Sequence, residues 1–351
     1  MSREIGSDFN SITEGKTLWS ISDNREYAVT FSFSGRSAIQ CAIKDAEKRN
    51  VNGKRVLLPD YCCSSMIEPF QKAGYQPEFY EVSLQSEDVA LPDLSSYAIV
   101  LLCHYFGFRA TYPWKIIQKF RDAGGIVVED ITHSLLSENP LSGESDYYIA
   151  SVRKWDGFVC GGIVITNNGN LNGRIQKQPS NEFTGMRMQA MQLKSEYMTD
   201  GRPEKKEEFR KLFEQCEHWL DVNYEDIGMD ELSREKFLRW DVEKVRKLRR
   251  ANAGYLYEKL SGIPGIRFAF PVERMEVPLF VPVILERTKR DALRRMLIQN
   301  QVYCPIHWPR PEECKNVLYD QELSLICDQR YGKEDMERIV AVVKEFASQC
   351  L

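Results

Sequence analysis

Short, mostly apolar runs recur through the first half of the chain, and they restrict its fold more than any other feature. They cover residues 55–58 (ending at Pro59), 77–82, 99–103, 125–129, 147–150 and 162–166. Runs of this length, rich in Val, Ile and Leu, read as strands buried on both faces. Helical patterns separate them. One follows Ser34-Gly35, with Ile39, Ala42, Ile43 and Ala46 on one side; another spans 114–123. Buried strands alternating with helices predict an α/β fold with a mostly parallel sheet covered on both faces.

The pattern changes after residue 180. Residues 181–260 are helical and highly charged, broken at Gly201-Arg202-Pro203 and at 224–228, with 235–260 read as one long helix. Pro264-Gly265 marks a boundary. The tail mixes short strands (277–284) with helices (289–300 and 333–349). Two domains are expected: a large one over 1–260 and a small α/β domain over 261–351. A chain of 351 residues, 43% hydrophobic, is long enough for both.

Composition excludes several classes. A net charge of -4 with no basic stripe argues against nucleic acid and anionic membranes as partners. The longest apolar runs, such as 98–103, fall far short of the ~20 residues that span a bilayer. The N-terminal residues lack the apolar core of a secretory signal. Ten cysteines show no metal spacing and no disulfide framework, so a reducing cytoplasm with free thiols and no metal is expected.

Four constellations fall at or just beyond strand ends, where open parallel sheets bind ligands. Ser34-Gly35-Arg36-Ser37 sits at a strand-to-helix turn, which suits a phosphate; an ordinary serine cap with a turn glycine has the same look. Asp130 ends an apolar strand in Val127-Val128-Glu129-Asp130-Ile131-Thr132-His133. A carboxylate there calls for a cation such as a protonated pyridine nitrogen, or else it caps a helix. Ser151-Val152-Arg153-Lys154-Trp155 precedes Cys160-Gly161-Gly162. A lysine so placed is a nucleophile toward aldehydes if its pocket is cationic or desolvated, and a surface lysine otherwise. Its Ser-x-x-Lys spacing also occurs in penicillin-recognising enzymes, but their S-D-N and K-T-G partners are absent. His104-Tyr105-Phe106-Gly107 follows the third strand as a pocket wall or a core histidine.

In order and spacing these residues resemble the DegT/DnrJ/EryC1/StrS family of sugar aminotransferases, over nearly the whole chain. Ser34-Gly35-Arg36-Ser37-Ala38 is similar to its S-G-T-x-A turn and Leu58-Pro59-Asp60-Tyr61 to its V-P-S-F element. His104-Tyr105-Phe106-Gly107 resembles H-L-Y-G. Glu129-Asp130 with His133 resembles E-D-x-x-[QH], and Lys154 with Gly161-Gly162 and Thr166 the lysine stretch. Cys304-Pro305-Ile306-His307 is similar to P-x-H. The resemblance implies the aspartate-aminotransferase-like fold type I, with a seven-stranded sheet, pyridoxal 5'-phosphate (PLP) as cofactor and a homodimer. It implies Lys154 as the Schiff-base and catalytic lysine, and Asp130 on the pyridine nitrogen, with His133 near the ring hydroxyl. Gly35, Arg36, Ser37 and Ser151 would hold the phosphate. Tyr61 and His104 would lie near the cofactor; Arg153 and His307 would face substrate.

The pattern also departs from the family. Ser151 lies three residues before Lys154, where the family's serine lies five before, a place held here by Ile149. The family's stacking aromatic falls near Cys63. The G-x-N-x-R-M segment is reduced to Gly228-Met229-Asp230-Glu231-Leu232, and the charged stretch over 186–221 is long. The expected activity is transfer of an amino group from an amino acid such as glutamate to a keto-sugar. Rival readings are a PLP lyase on the same fold, a PLP-binding regulator, and a structural protein with a decayed site.

Overall fold

The computed structural model describes residues 4–16, 19–21, 27–49, 53–167, 169, 171, 175 and 177–350. Along the chain the strands are β1 (Ile5–Gly6), β2 (Ala28–Ser32), β3 (Arg55–Pro59), β4 (Gln76–Tyr80), β5 (Ile99–Cys103), β6 (Ile126–Asp130), β7 (Tyr147–Ser151), β8 (Gly162–Thr166), β9 (Arg267–Phe268), β10 (Val281–Ile284), β11 (Val302–Tyr303) and β12 (Glu322–Leu325). The helices are α1 (Gly35–Lys48), α2 (Ser64–Lys72), α3 (Trp114–Asp122), α4 (Asn181–Asp200), α5 (Pro203–Val222), α6 (Glu231–Leu238), α7 (Val242–Leu260), α8 (Arg287–Gln299), α9 (Leu318–Gln321) and α10 (Lys333–Cys350).

The main sheet has seven strands in the order β2-β8-β7-β6-β5-β3-β4. Five of them, β4, β3, β5, β6 and β7, run parallel; β8 lies antiparallel to both β7 and β2. All five residues of β5, β6 and β8 are buried. Alternate residues of β7 enter different cores: Tyr147 and Ile149 join one hydrophobic cluster, Tyr148 and Ala150 the other. The period-two alternation of a strand thus feeds two covered faces, the reason these runs read as continuously apolar. Edge strand β2 was expected only as the strand leading into the Ser34 turn, with no run of residues assigned to it. It is only partly buried along most of its length, so its sequence lacks that continuous signal.

One expected helix divides in two. Residues 235–260 hold the end of α6 and all of α7, with a break at Arg239–Asp241. Asp241 caps α7 by accepting from the Lys244 N–H, and its own N–H donates to Thr13 O. Between the helices Trp240 is buried edge-on to Trp19 and Phe158 and donates its indole N–H to Asp156 (2.9 Å). Tertiary contacts, absent from any local pattern, set this break. The strand expected over 277–284 is confined to β10; before it, Leu279 N–H bonds Phe106 O instead.

The charged stretch folds as an antiparallel hairpin of α4 and α5. Gly201 ends α4 in a left-handed conformation (φ 69°), and Pro203 opens α5. The hairpin buries Phe183, Ala190, Phe209, Phe213, Cys216 and Leu220. Beyond α7, β9, β10 and β12 form a three-stranded antiparallel sheet, and β11 pairs with β1 from the far end of the chain. One hydrophobic cluster continues from β5 and β6 into β10, β12 and α10. All ten cysteines are free. Among the described residues, no helix is long and apolar enough to cross a membrane, and no His, Cys, Asp and Glu side chains group as metal ligands.

Candidate active site

Strand register brings all four sequence constellations to one sheet edge. Cys103 pairs with Asp130, and Asp130 with Ile149. Gly162 pairs with Ser151 of β7 on one side and Ser32 of β2 on the other. The chain therefore leaves β5 toward His104, β7 toward Lys154 and β2 toward Gly35 at the same edge. A cavity of about 470 Å³ opens there, lined among others by Gly35, Arg36, His104, Asp130, His133, Ser151, Arg153, Lys154 and His307.

The turn into α1 depends on the glycine that opens β8. A Cβ on Gly162 would lie 2.0 Å from Ser34 O, so its absence lets the Ser34 backbone approach β8; a Cβ on Gly161, just before the strand, would lie 2.4 Å from Val152 Cγ2, beside the turn that carries Lys154. The Ser34 hydroxyl caps α1 by accepting from the Ser37 N–H. Gly35 faces Ser151 closely enough that an added Cβ would stand 3.2 Å from the serine Cβ. The first-turn N–H groups of Gly35 and Arg36 are those a helix start leaves without intrahelical partners, and the macrodipole favours an anion beside them. Ser37 is a correction to the expected phosphate set. It does not line the cavity, and its hydroxyl donates to Tyr224 O (2.7 Å).

Asp130 is buried at the end of β6. Its Oδ1 accepts the Thr132 N–H (2.8 Å). Burial raises the carboxyl pKa, against opposing contributions from Thr132 and Lys154. An anion so placed is short of a cation. Beside it, Glu129 faces away into a bonded group: His104, Ser142 and Ser145 all reach it. His104 Nδ1 accepts the Ala110 N–H (3.0 Å), which places the ring proton on Nε2, toward Glu129. His104 therefore stands beside the cavity with its ring held on both sides.

Lys154 ends a short 3-10 turn, Val152–Lys154, directly after β7. It lines the cavity and is exposed, and among the described residues no hydrogen bond or ion pair holds its Nζ. Of the settings expected for it, a cationic or desolvated pocket or an exposed loop, the amine has an exposed place at the cavity. His133 Nδ1 accepts the Phe106 N–H (3.1 Å). Burial first, then His307 and Lys154, hold the His133 pKa well below the usual range. The neutral ring carries its proton on Nε2. Trp308 stacks on His133 at 5.6 Å between centroids, and His307 bonds Ser324 (3.0 Å).

Tyr61 is a second correction. It is wholly buried among Tyr105, Trp308 and Tyr319 and does not line the cavity; Cys63, two residues on, does. Arg36, expected at a phosphate, points its guanidinium to Asp221 (2.9 Å) and Leu220 O (3.1 Å), tying α1 to the end of α5. Arg153 pairs with Glu217 of α5. Sequence reasoning missed Thr132, Arg187, Glu217, Arg249 and the segment Ser7-Asp8-Phe9, all of which line the cavity. Thr132 alone had a local signal, lying two residues past Asp130. Arg187 and Glu217 looked like members of a solvated helix surface.

No family model matches the chain, and no curated protein matches it in sequence. Solved structures do match in fold. PseC of Helicobacter pylori, an aminotransferase involved in the biosynthesis of pseudoaminic acid, superposes with a TM-score of 0.65 at 12% identity. The match spans 97% of this chain and 100% of PseC. A DegT DnrJ EryC1 StrS aminotransferase from Brucella abortus gives 0.60 at 14% identity, covering 92% and 86%. NtdA of Bacillus subtilis with bound cofactor PMP gives 0.58 at 14%, covering 92% and 73%. The chain has the type I fold of these aminotransferases.

Proposed function

We propose that this protein is a PLP-dependent aminotransferase in which Lys154 anchors the cofactor and moves the proton. The observation that carries the reading is the convergence on one cavity of an unheld lysine amine, a buried carboxylate short of a cation and the start of α1. The residues fit PLP. The N–H groups at the start of α1, with Ser151, suit its phosphate, and Asp130 suits its ring nitrogen. When bound, PLP supplies an aldehyde for amine capture and a protonated ring that withdraws electrons from the substrate.

Each side chain has a separable task. Asp130 would hold a proton on the ring nitrogen, because the Thr132 N–H stabilises its buried charge only in part and a cation there would complete it. His133, neutral, offers its Nε2 proton to an oxygen on the ring. Thr132 keeps Asp130 and β7 in register by bonding Asp130 Oδ1 through its N–H and accepting from Ser151 N–H (3.1 Å). Lys154 Nζ, without a partner among the described residues, would take the proton from the substrate α-carbon and return it two bonds away, to the carbon on the other side of the amino nitrogen. Lys154 rather than histidine at this position argues against the family's dehydratase branch. An amino acid such as glutamate serves as donor and a nucleotide-linked keto-sugar as acceptor. The resemblance, and the part that PseC plays in the biosynthesis of pseudoaminic acid, support that choice.

The test is spectral. Purified protein given PLP should show a visible absorbance band that borohydride fixes covalently, and Lys154→Ala should abolish fixation. Glutamate should then convert the band to that of the amine form. Fixation surviving in Lys154→Ala would overturn the assignment of the lysine. A band unchanged by every amino donor would favour a lyase or a PLP-binding regulator instead.

A further inference from the structure

The hairpin α4–α5 brings two guanidiniums onto one carboxylate oxygen in the cavity wall. Arg153 Nη2 and Arg187 Nη1 both point at Glu217 Oε1. The arginines are the buried members, with side chains 13% and 6% exposed, while Glu217 is 57% exposed. Arg187 has one further bond, from Nε to Phe158 O (3.4 Å), and lies over the Phe213 ring. Arg153 Nε is buried without a partner among the described residues. Asp8 acts on both arginines only through longer-range attraction, and Lys154 adds positive charge nearby.

Each guanidinium carries five N–H donors in a planar fork suited to two oxygens at once. Here the pair shares a single oxygen, from a side chain that solvent already reaches. Two buried cations served by one carboxylate leave surplus positive charge and unused donors at the cavity. A ligand bearing two or three oxyanion oxygens satisfies both forks better than Glu217 does.

We propose that Arg153 and Arg187 form an oxyanion subsite for the substrate, separate from the phosphate cradle at α1, with Glu217 holding it until substrate arrives. The inference rests on the PLP reading only in assigning the α1 cradle to the cofactor. The shared ligand chemistry is a phosphate or carboxylate group. It comes either from a nucleotide-linked substrate, for which inorganic pyrophosphate is the probe, or from the amino-acid side, for which 2-oxoglutarate is.

Calorimetric titration of PLP-loaded protein with each probe tests this. Arg187→Ala should weaken binding of one probe about tenfold, the loss of one charge-assisted contact. Glu217→Gln should strengthen it about threefold by removing the competing charge, and both variants should keep the visible cofactor band. Glu217→Gln changes no volume and carries the test by itself if Arg187→Ala does not fold. Equal affinities in all three proteins for both probes would overturn the proposal. So would loss of the cofactor band in Arg187→Ala, which would give the arginines to the cofactor phosphate. Protein that takes up no PLP sinks the functional reading, yet its pyrophosphate titration still shows or lacks the Arg187 and Glu217 dependence, so the two failures are told apart.

Discussion

His104 Nε2 stands 2.9 Å from Glu129 Oε1, and neither side chain meets solvent. The Ala110 N–H on Nδ1 makes this contact a donation from the imidazole to the carboxylate. Ser142 (2.5 Å) and Ser145 (2.8 Å) donate to the other oxygen. The group carries a charge inside the wall of the cavity one residue away from Asp130. It separates the two adjacent carboxylates by role: Glu129 is fully bonded, whereas Asp130 awaits a cation.

That arrangement predicts an acid dependence. Burial alone would raise the Glu129 pKa, but the bonds from His104, Ser142 and Ser145 outweigh it and hold the value below the usual carboxylate range. A carboxyl whose folded value lies below its unfolded one contributes stability above the unfolded value, about 4.3, and loses it as pH falls toward the folded value. Glu129→Gln should therefore be less stable than wild type by about 1–3 kcal/mol at pH 7, as expected for donors left without their acceptor. Urea titrations at decreasing pH should show the difference shrinking below about pH 4.3. A gap that widens in acid would contradict the bonding described.

Gly162→Ala tests the approach of the α1 turn. The added methyl would meet Ser34 O at 2.0 Å and Ser32 Oγ at 2.3 Å, and a backbone oxygen cannot swing aside as a flexible side-chain end can. The start of α1 must shift relative to Ser151. PLP affinity, followed by quenching of tryptophan fluorescence, should fall at least about tenfold, a loss of roughly 1.4 kcal/mol. Far-UV circular dichroism should change little. Undiminished affinity would mean that the cradle is not where the phosphate sits.

Lys194 gives a prediction at high pH. Its Nζ is buried against Gly6 O, Ser7 Oγ and the Glu4 carboxylate, and burial lowers its pKa to about 8. A lysine with a depressed folded value leaves the folded state holding fewer protons than the unfolded state between about 8 and the unfolded value. Folding then gains stability as pH rises through that window. Compared with Lys194→Met, wild type should become relatively more stable from pH 8 toward pH 10 in chemical denaturation. A flat difference would show that the ammonium remains fully compensated by Glu4 and the carbonyls.

Strands buried on both faces were legible because most residues in them must be apolar. Ile99–Cys103 is read from sequence with the bounds it has in the structure. Edge strand β2, half exposed, carries no such mark. The separation of α6 from α7 depends on where Trp240 packs, which no periodicity within 235–260 records. Asp130 and Lys154, which both line the cavity, stand out in the sequence because a charged residue at or just beyond the end of an apolar strand contradicts its surroundings. Arg187 and Glu217 contradict nothing locally. Their meaning arises only when the hairpin folds back over the turn before Lys154. Tyr61 shows the converse: a residue in a suggestive motif whose ring the core absorbs.

The segment Ser7-Asp8-Phe9 has a bearing on how the molecule is made. It forms part of the cavity wall, yet β1 before it pairs with Val302 and Tyr303, and Arg330 bonds the Ser7 and Asp8 carbonyls. During synthesis these early residues leave the ribosome hundreds of positions ahead of the groups that seat them. The wall therefore closes only when translation has passed Arg330, and a nascent chain still short of that point has no finished chamber in which to hold a small molecule.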